Sequence, residues 1–246
     1  VDSEGIIYYT GNIIVDIIPG SINPVNLSLD PTAGSIDITI TWGFNIDGLR
    51  YGDAYSLSTG STPTVSIQAD LDQDNDNDII VSDYQGHTVS IYDNGGEGDF
   101  SLTQTMSAGY HPAGLVAEDL DNDGVLDLVV ANYDLNYSGI SIMSYDDNSQ
   151  QYTLRQFIET VNGVNGVVAG DYDGDGDLDL AAAVRNDGLL LILLNDGEGS
   201  FSINSTQTVG SYLTWVTVGD WDGDQDLDLA LSRSEPSEII IYLNGG

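Results

Sequence analysis

The chain contains no cysteine and no lysine, and only four basic side chains occur in its 246 residues: Arg50, Arg155, Arg185 and Arg233. Without cysteine there is no disulfide, no thiolate metal site and no thiol redox chemistry. Forty acidic residues against four arginines give a net charge of −36. Nucleic acid and anionic membrane surfaces are therefore set aside as partners, because like charge repels them. No apolar run is long enough to cross a bilayer as a helix, which argues against membrane insertion. Imidazole is nearly absent: His87 lies in a turn and His111 precedes Pro112. Neither has a nucleophile that spacing identifies as its partner, so no catalytic triad is legible. No stretch shows a convincing helical period.

What the chain has in abundance is aspartate, and it is periodic. The pattern D-x-D-x-D-x-x-x-D followed by an apolar run occurs four times, with first aspartates 49, 52 and 49 residues apart. Positions 1, 3, 5 and 9 are Asp70, Asp72, Asp74 and Asp78 in the first copy. They are Asp119, Asp121, Asp123 and Asp127 in the second, Asp171, Asp173, Asp175 and Asp179 in the third, and Asp220, Asp222, Asp224 and Asp228 in the fourth. Side chains at this spacing in a tight loop can converge on one point. A backbone carbonyl at position 7 (Asp76, Val125, Asp177, Asp226) supplies a further oxygen. A donor set made only of oxygen, in flexible geometry, selects calcium before magnesium. Uncompensated, such carboxylates repel by roughly 1 kcal/mol per close pair in water and about 4 kcal/mol at a surface-like dielectric, so the loops are expected to need a cation. An EF-hand is excluded: it requires a glutamate at position 12, where these loops carry Val81, Val130, Ala182 and Leu231.

Each loop sits in the same frame. In the first unit an alternating segment, Val65 to Ala69, precedes it and Ile79 to Ser82 follows. A turn at Gln85-Gly86-His87, a strand over Val89 to Tyr92, a glycine-rich turn at Asn94 to Gly98 and a strand from Phe100 complete the unit. The third unit repeats this through Leu189 to Leu194 and Asn195 to Gly199. The second uses Ile140 to Tyr145 and Tyr152 to Ile158, with a glycine-free turn at Asp146 to Gln150. Four short strands per roughly 50 residues predict an all-β chain, a β-propeller built of four-stranded blades.

Loops such as Asp119 to Asp127 and Asp171 to Asp179 resemble the calcium loops of FG-GAP/VCBS repeats, the blades of integrin α-subunit propellers and of many secreted bacterial proteins. The resemblance implies that each loop joins the first two strands of a blade and holds Ca²⁺ through the matched positions, about four ions in all. It covers residues 63–246. The family's glycine at position 6 is present as Gly124 and Gly176 but is Asn75 and Gln225 in the outer loops. Gln tolerates a left-handed backbone poorly, which marks the Asp220 loop as the weakest. Relatives of this kind include lectins, adhesins and carbohydrate-active enzymes. Trp42, Trp215 and Trp221 are candidates for sugar stacking, but Trp221 at loop position 2 and Trp215 in the preceding strand read as packing residues.

The remaining organisation is read from the ends. Residues 12–62 are expected to form a degenerate blade without a calcium loop, its last strand near Tyr55 to Thr59, giving about five blades. Residues 1–11 carry a lone strand, Ile6 to Thr10. The last unit stops one strand short, at Asn244-Gly245-Gly246. The N-terminal strand can complete that blade within the chain, or in a neighbour to build a head-to-tail filament. Val1 in place of Met reads as a processed form or a fragment. Calcium loops, together with sequons at Asn26, Asn136 and Asn204, point to an extracellular, non-enzymatic calcium-binding module. Its expected role is structural or self-assembling, or alternatively adhesive towards protein or glycan ligands.

Overall fold

The computed structural model describes residues 44–46, 49–51 and 55–245, in two compact units divided after Leu57. In the first unit, β1 (Phe44–Ile46) pairs antiparallel with β2 (Leu49–Tyr51), Ile46 facing Leu49. The Asp47-Gly48 dipeptide between them is the sequence signature of a two-residue hairpin. The degenerate blade and the N-terminal strand fall largely outside the described residues. One part of that expectation is overturned. Tyr55 to Thr59 is not a strand. Further along the same segment, Thr59 donates its hydroxyl to Asp83 (2.7 Å), and the amides of Tyr84 and Gln85 bond to the carbonyls of Thr62 and Ser61.

The second unit is all-β and arranged as a β-propeller, with no helix among the described residues. The first blade pairs β3 (Pro63–Ala69), β4 (Asp78–Asp83), β5 (Thr88–Asn94) and β6 (Phe100–Ser107) in order. The second contains β7 (Pro112–Glu118), β8 (Asp127–Asn132), β9 (Gly139–Asp146) and β10 (Gln151–Glu159). The third contains β11 (Val164–Gly170), β12 (Asp179–Val184), β13 (Leu189–Asn195) and β14 (Phe201–Thr208). Among the described residues the last has three strands, β15 (Leu213–Gly219), β16 (Asp228–Arg233) and β17 (Glu238–Tyr242). All blade pairings are antiparallel.

The first strands β3, β7, β11 and β15 lie side by side and line an axial cavity of about 320 Å³ that includes Ile67, Leu115, Val167 and Trp215. Trp215 is thus half-buried at this wall. It packs against Gly166, whose missing Cβ would sit 3.2 Å from the indole. Second strands such as β8 and β12 are buried at every residue, as the uninterrupted apolar runs after each loop require.

The apolar core is layered between blades. One layer joins blades 1 and 2 through Leu71, Leu128, Met143 and Tyr152. A second joins blades 2 and 3 through Leu120, Leu180, Leu193 and Phe201. A third joins blades 3 and 4 through Ala183, Leu213 and Leu231. Loop position 2 explains the order: Leu71, Leu120 and Tyr172 each pack onto the blade that follows. Trp221 holds the same place in the last blade and is 47% exposed, because no blade follows among the described residues. The expected inter-blade packing of Trp221 is therefore not observed.

A glutamine brace is repeated between outer strands. Gln104 of β6 donates to the carbonyl of Tyr152 (2.8 Å) and accepts from its amide (2.9 Å). Gln156 of β10 does the same with Phe201, at 2.8 and 2.9 Å. Each side-chain amide pairs with a neighbouring blade as a strand residue would.

Candidate metal centres

All four aspartate loops join the first strand of a blade to its second, β3–β4, β7–β8, β11–β12 and β15–β16. They share a backbone scheme that the residues dictate. The position 1 carboxylate accepts two loop amides: Asp70 from Asp74 and Asn75, Asp119 from Asp123 and Gly124, Asp171 from Gly174 and Gly176, and Asp220 from Gly223 and Gln225, at 2.7 to 3.2 Å. Position 5 accepts the amide of position 7 at 2.8 to 3.0 Å: Asp74 from Asp76, Asp123 from Val125, Asp175 from Asp177, and Asp224 from Asp226. Position 6 is left-handed in every loop, with φ of 74° at Asn75, 89° at Gly124, 96° at Gly176 and 81° at Gln225. Position 4 is left-handed too, at Gln73, Asn122, Gly174 and Gly223. The sequence signals this at three of these four positions, where Asn or Gly stands.

Three carboxylates in each loop bring one oxygen apiece within 4.8 Å of one another. These are Asp70, Asp72 and Asp74 in the first loop, Asp119, Asp121 and Asp123 in the second, Asp171, Asp173 and Asp179 in the third, and Asp220, Asp222 and Asp228 in the fourth. Position 5 thus completes the trio in the first two loops, and position 9 in the last two.

Position 9 has a second task. It is buried in all four blades. Asp78 accepts the amides of Leu71 and Asn94, Asp179 those of Tyr172 and Asn195, and Asp228 those of Trp221 and Asn244, at 2.8 to 3.1 Å. The asparagine side chains continue the link: Asn195 donates to the carbonyl of Leu120 in the previous blade (2.7 Å), and Asn244 to that of Tyr172 (3.3 Å). Asn94, Asn195 and Asn244 each open the turn after a third strand, a glycine-rich signal whose partner lies too far along the chain to be seen in sequence. The second blade has Tyr145 there instead. Asp127 Oδ2 is buried without a hydrogen-bond partner, as is Asp121 Oδ1 in the same loop. Two orphaned oxygens in an oxygen-only cradle fit a bound divalent cation, since burying them unpaired is costly. Burial pushes the Asp78, Asp127 and Asp179 carboxyls above the usual range, against hydrogen bonds that pull them down.

The loops are linked sideways. Gln73 donates to the carbonyl of Gly124 (2.7 Å) and Asn122 to Asp177 Oδ1 (3.1 Å). Arg155 Nη1 forms an ion pair with Asp121 Oδ2, while Nη2 donates to the Glu198 carbonyl of the third blade.

The FG-GAP-like repeat family matches residues 70–130, 119–182 and 171–231, each match running from one loop through the second strand of the next blade. The chain belongs to this family. Among solved structures, this FG-GAP-like propeller is similar to BBS1N in a crystal of its complex with ARL6DN, at 15% identity, 77% coverage of this chain and 55% of that one, TM-score 0.54. A protein from Lactobacillus plantarum matches at 14% identity, 83% and 63% coverage, TM-score 0.56. The chain spans less than two thirds of either, and both likenesses concern the fold alone. No curated protein matches.

The face opposite the loops holds a cluster that sequence reasoning missed by reading both histidines as plain turn polarity. Tyr84 stacks on His111 (4.5 Å), and His111 meets His87 edge-on at 4.5 Å. His111 Nδ1 lies 3.1 Å from Asp134 Oδ2. The exposed rings of Tyr110 and Tyr137 stack at 5.0 Å. The sequon residues Asn136 and Asn204 are both exposed, while Asn26 and Trp42 fall outside the described residues.

Proposed function

We propose that this propeller is a non-enzymatic, extracellular structural module, stiffened by about four calcium ions, that meets partners through its loops and terminal strands. The observation that carries the reading is the fourfold recurrence of three carboxylate oxygens within 4.8 Å on one strand–loop–strand frame. When bound, calcium supplies the charge that lets these oxygens stay close. The chain's own residues do the rest: positions 1 and 5 tie down the loop backbone, and position 9 anchors the loop to the second strand. Sites of this openness suit the calcium levels found outside cells. Titration of calcium into the chelator-treated protein by calorimetry is expected to show about four sites and a raised Tm. No heat and an unchanged Tm would overturn the reading.

For the partner we propose strand addition to β17, which pairs with β16 along one edge and, among the described residues, with no strand along the other. Unpaired edges of this kind accept a strand. The segment Ile6 to Thr10, from the same chain or a neighbour, is the proposed donor. Deleting residues 1–11 is expected to destabilise a monomer or dissolve a filament, separated by size-exclusion chromatography. An unaffected monomer counts against it. A second reading, glycan adhesion, is favoured by the stacked, exposed Tyr110 and Tyr137. Tyr137→Ala should abolish whatever binding a glycan array detects.

A further inference from the structure

The fourth strands of blades 1, 2 and 3 carry a one-residue bulge at the same place, set by the slips in register between Leu102 and Gln104, Leu154 and Gln156, and Ile203 and Ser205. The bulged residue is Thr103, Arg155 and Asn204 in turn. In the second blade the Arg155 side chain spans the gap to the next blade. Its guanidinium reaches Asp121 at loop position 3, Ser144 Oγ at the end of β9, and the Glu198 carbonyl in the third blade's hairpin.

The first blade has the same gap and no side chain to fill it. Thr103 is too short, and its hydroxyl turns back to the Ile91 carbonyl (3.3 Å). The result is a cleft of about 430 Å³ between blades 1 and 2. Two of the three acceptors that meet Arg155 have counterparts there. Asp72 replaces Asp121, and Asp93 replaces Ser144, adding a carboxylate. Asp147 and Gln150 of the next blade's hairpin line the far wall together with Tyr145 and Tyr152. No basic residue lines the cleft. We propose that this cleft receives an arginine side chain presented by a partner protein, seated as the chain seats its own Arg155 one blade further on.

Arginine is specified over lysine because carboxylates stand on both walls of the cleft, Asp72 and Asp93 on one and Asp147 on the other, beside two tyrosines, which suits a planar fork that donates from several nitrogens. A basic partner is specified because Asp72, Asp93 and Asp147 line the cleft with no basic residue beside them. A metal in the first loop leaves the cleft usable. In the second loop Asp121 gives Oδ2 to the guanidinium while Oδ1 remains without a hydrogen-bond partner, and Asp93 and Asp147 lie outside the aspartate loop.

The test uses the full chain saturated with calcium and blocked tripeptides Gly-Arg-Gly, Gly-Lys-Gly and Gly-citrulline-Gly, read by calorimetry and by NMR shifts. One arginine-peptide site per chain is expected, at least tenfold tighter than for lysine, with none for citrulline. Thr103→Arg should fill the cleft from within, abolish binding and raise Tm. Arg155→Thr should open the second cleft and raise the stoichiometry from one to two. Equal binding of citrulline or lysine, full binding by Thr103→Arg, or no binding by the wild type overturns the proposal. Repeating the titration after calcium removal separates this outcome from failure of the metal reading.

Discussion

At the residue scale, aspartates that look alike in the repeat do different work. Asp173 belongs to the carboxylate trio of the third loop, Asp177 accepts from Asn122 of the loop before it, and Asp179 holds two backbone amides while contributing to the same trio. Asp173→Ala is expected to lower Tm in calcium and to leave the chelated protein almost unchanged. Asp179→Ala should destabilise under both conditions, by about 2 to 4 kcal/mol, since two buried amides lose their acceptor. Asp177→Ala should cost less than either. Paired thermal melts with and without calcium check all three, and equal effects would refute the division of labour. Gln225 adopts φ 81° with a full side chain, a conformation that costs non-glycine residues roughly 1 to 2 kcal/mol. Gln225→Gly should therefore raise stability by about 1 kcal/mol and tighten the fourth loop's metal affinity, both measurable by denaturant unfolding and calcium titration.

At the scale of strands and loops, periodicity made most of the propeller legible. Apolar runs after each loop locate β4, β8, β12 and β16, and alternation locates their neighbours, because half-buried and fully buried strands leave different patterns. What stayed hidden depends on distance along the chain. Gln104 and Gln156 look like ordinary outward-facing polar residues until the next blade is placed beside them. Trp221 reads as packing because its counterparts pack, and only the end of the described array exposes it. The aromatic cluster around His111 draws on residues from three separate turns. Gln156→Ala removes both bonds to Phe201 and is expected to cost about 1 to 3 kcal/mol, with faster amide exchange in β14 as the local signature.

At the scale of the whole molecule, charge dominates. The carboxyls of Asp78, Asp127 and Asp179 titrate above their ordinary range because burial disfavours the ionised form. Protonation therefore stabilises the fold. That stability is fully present below the unfolded-state value and is lost as pH rises through the raised, folded-state values. Relief of general repulsion acts in the same direction. The metal-free protein should thus melt at a higher temperature near pH 5 than near pH 7, whereas the calcium-loaded protein should show the reverse, since protons displace the ion. Thermal scans of dialysed protein at the two pH values decide it, and a Tm that falls on acidifying the metal-free form would contradict it.

The sideways bonds between loops carry one more consequence. Gln73 ties the first loop to the second and Asn122 ties the second to the third, whereas Gly174 in the third loop has no side chain to reach the fourth. Ordering one of the first three loops lowers the entropy still to be lost by the next. Their saturation curve should accordingly be steeper than that of independent sites, with a Hill coefficient above one, and the fourth should fill as a separate, shallower phase.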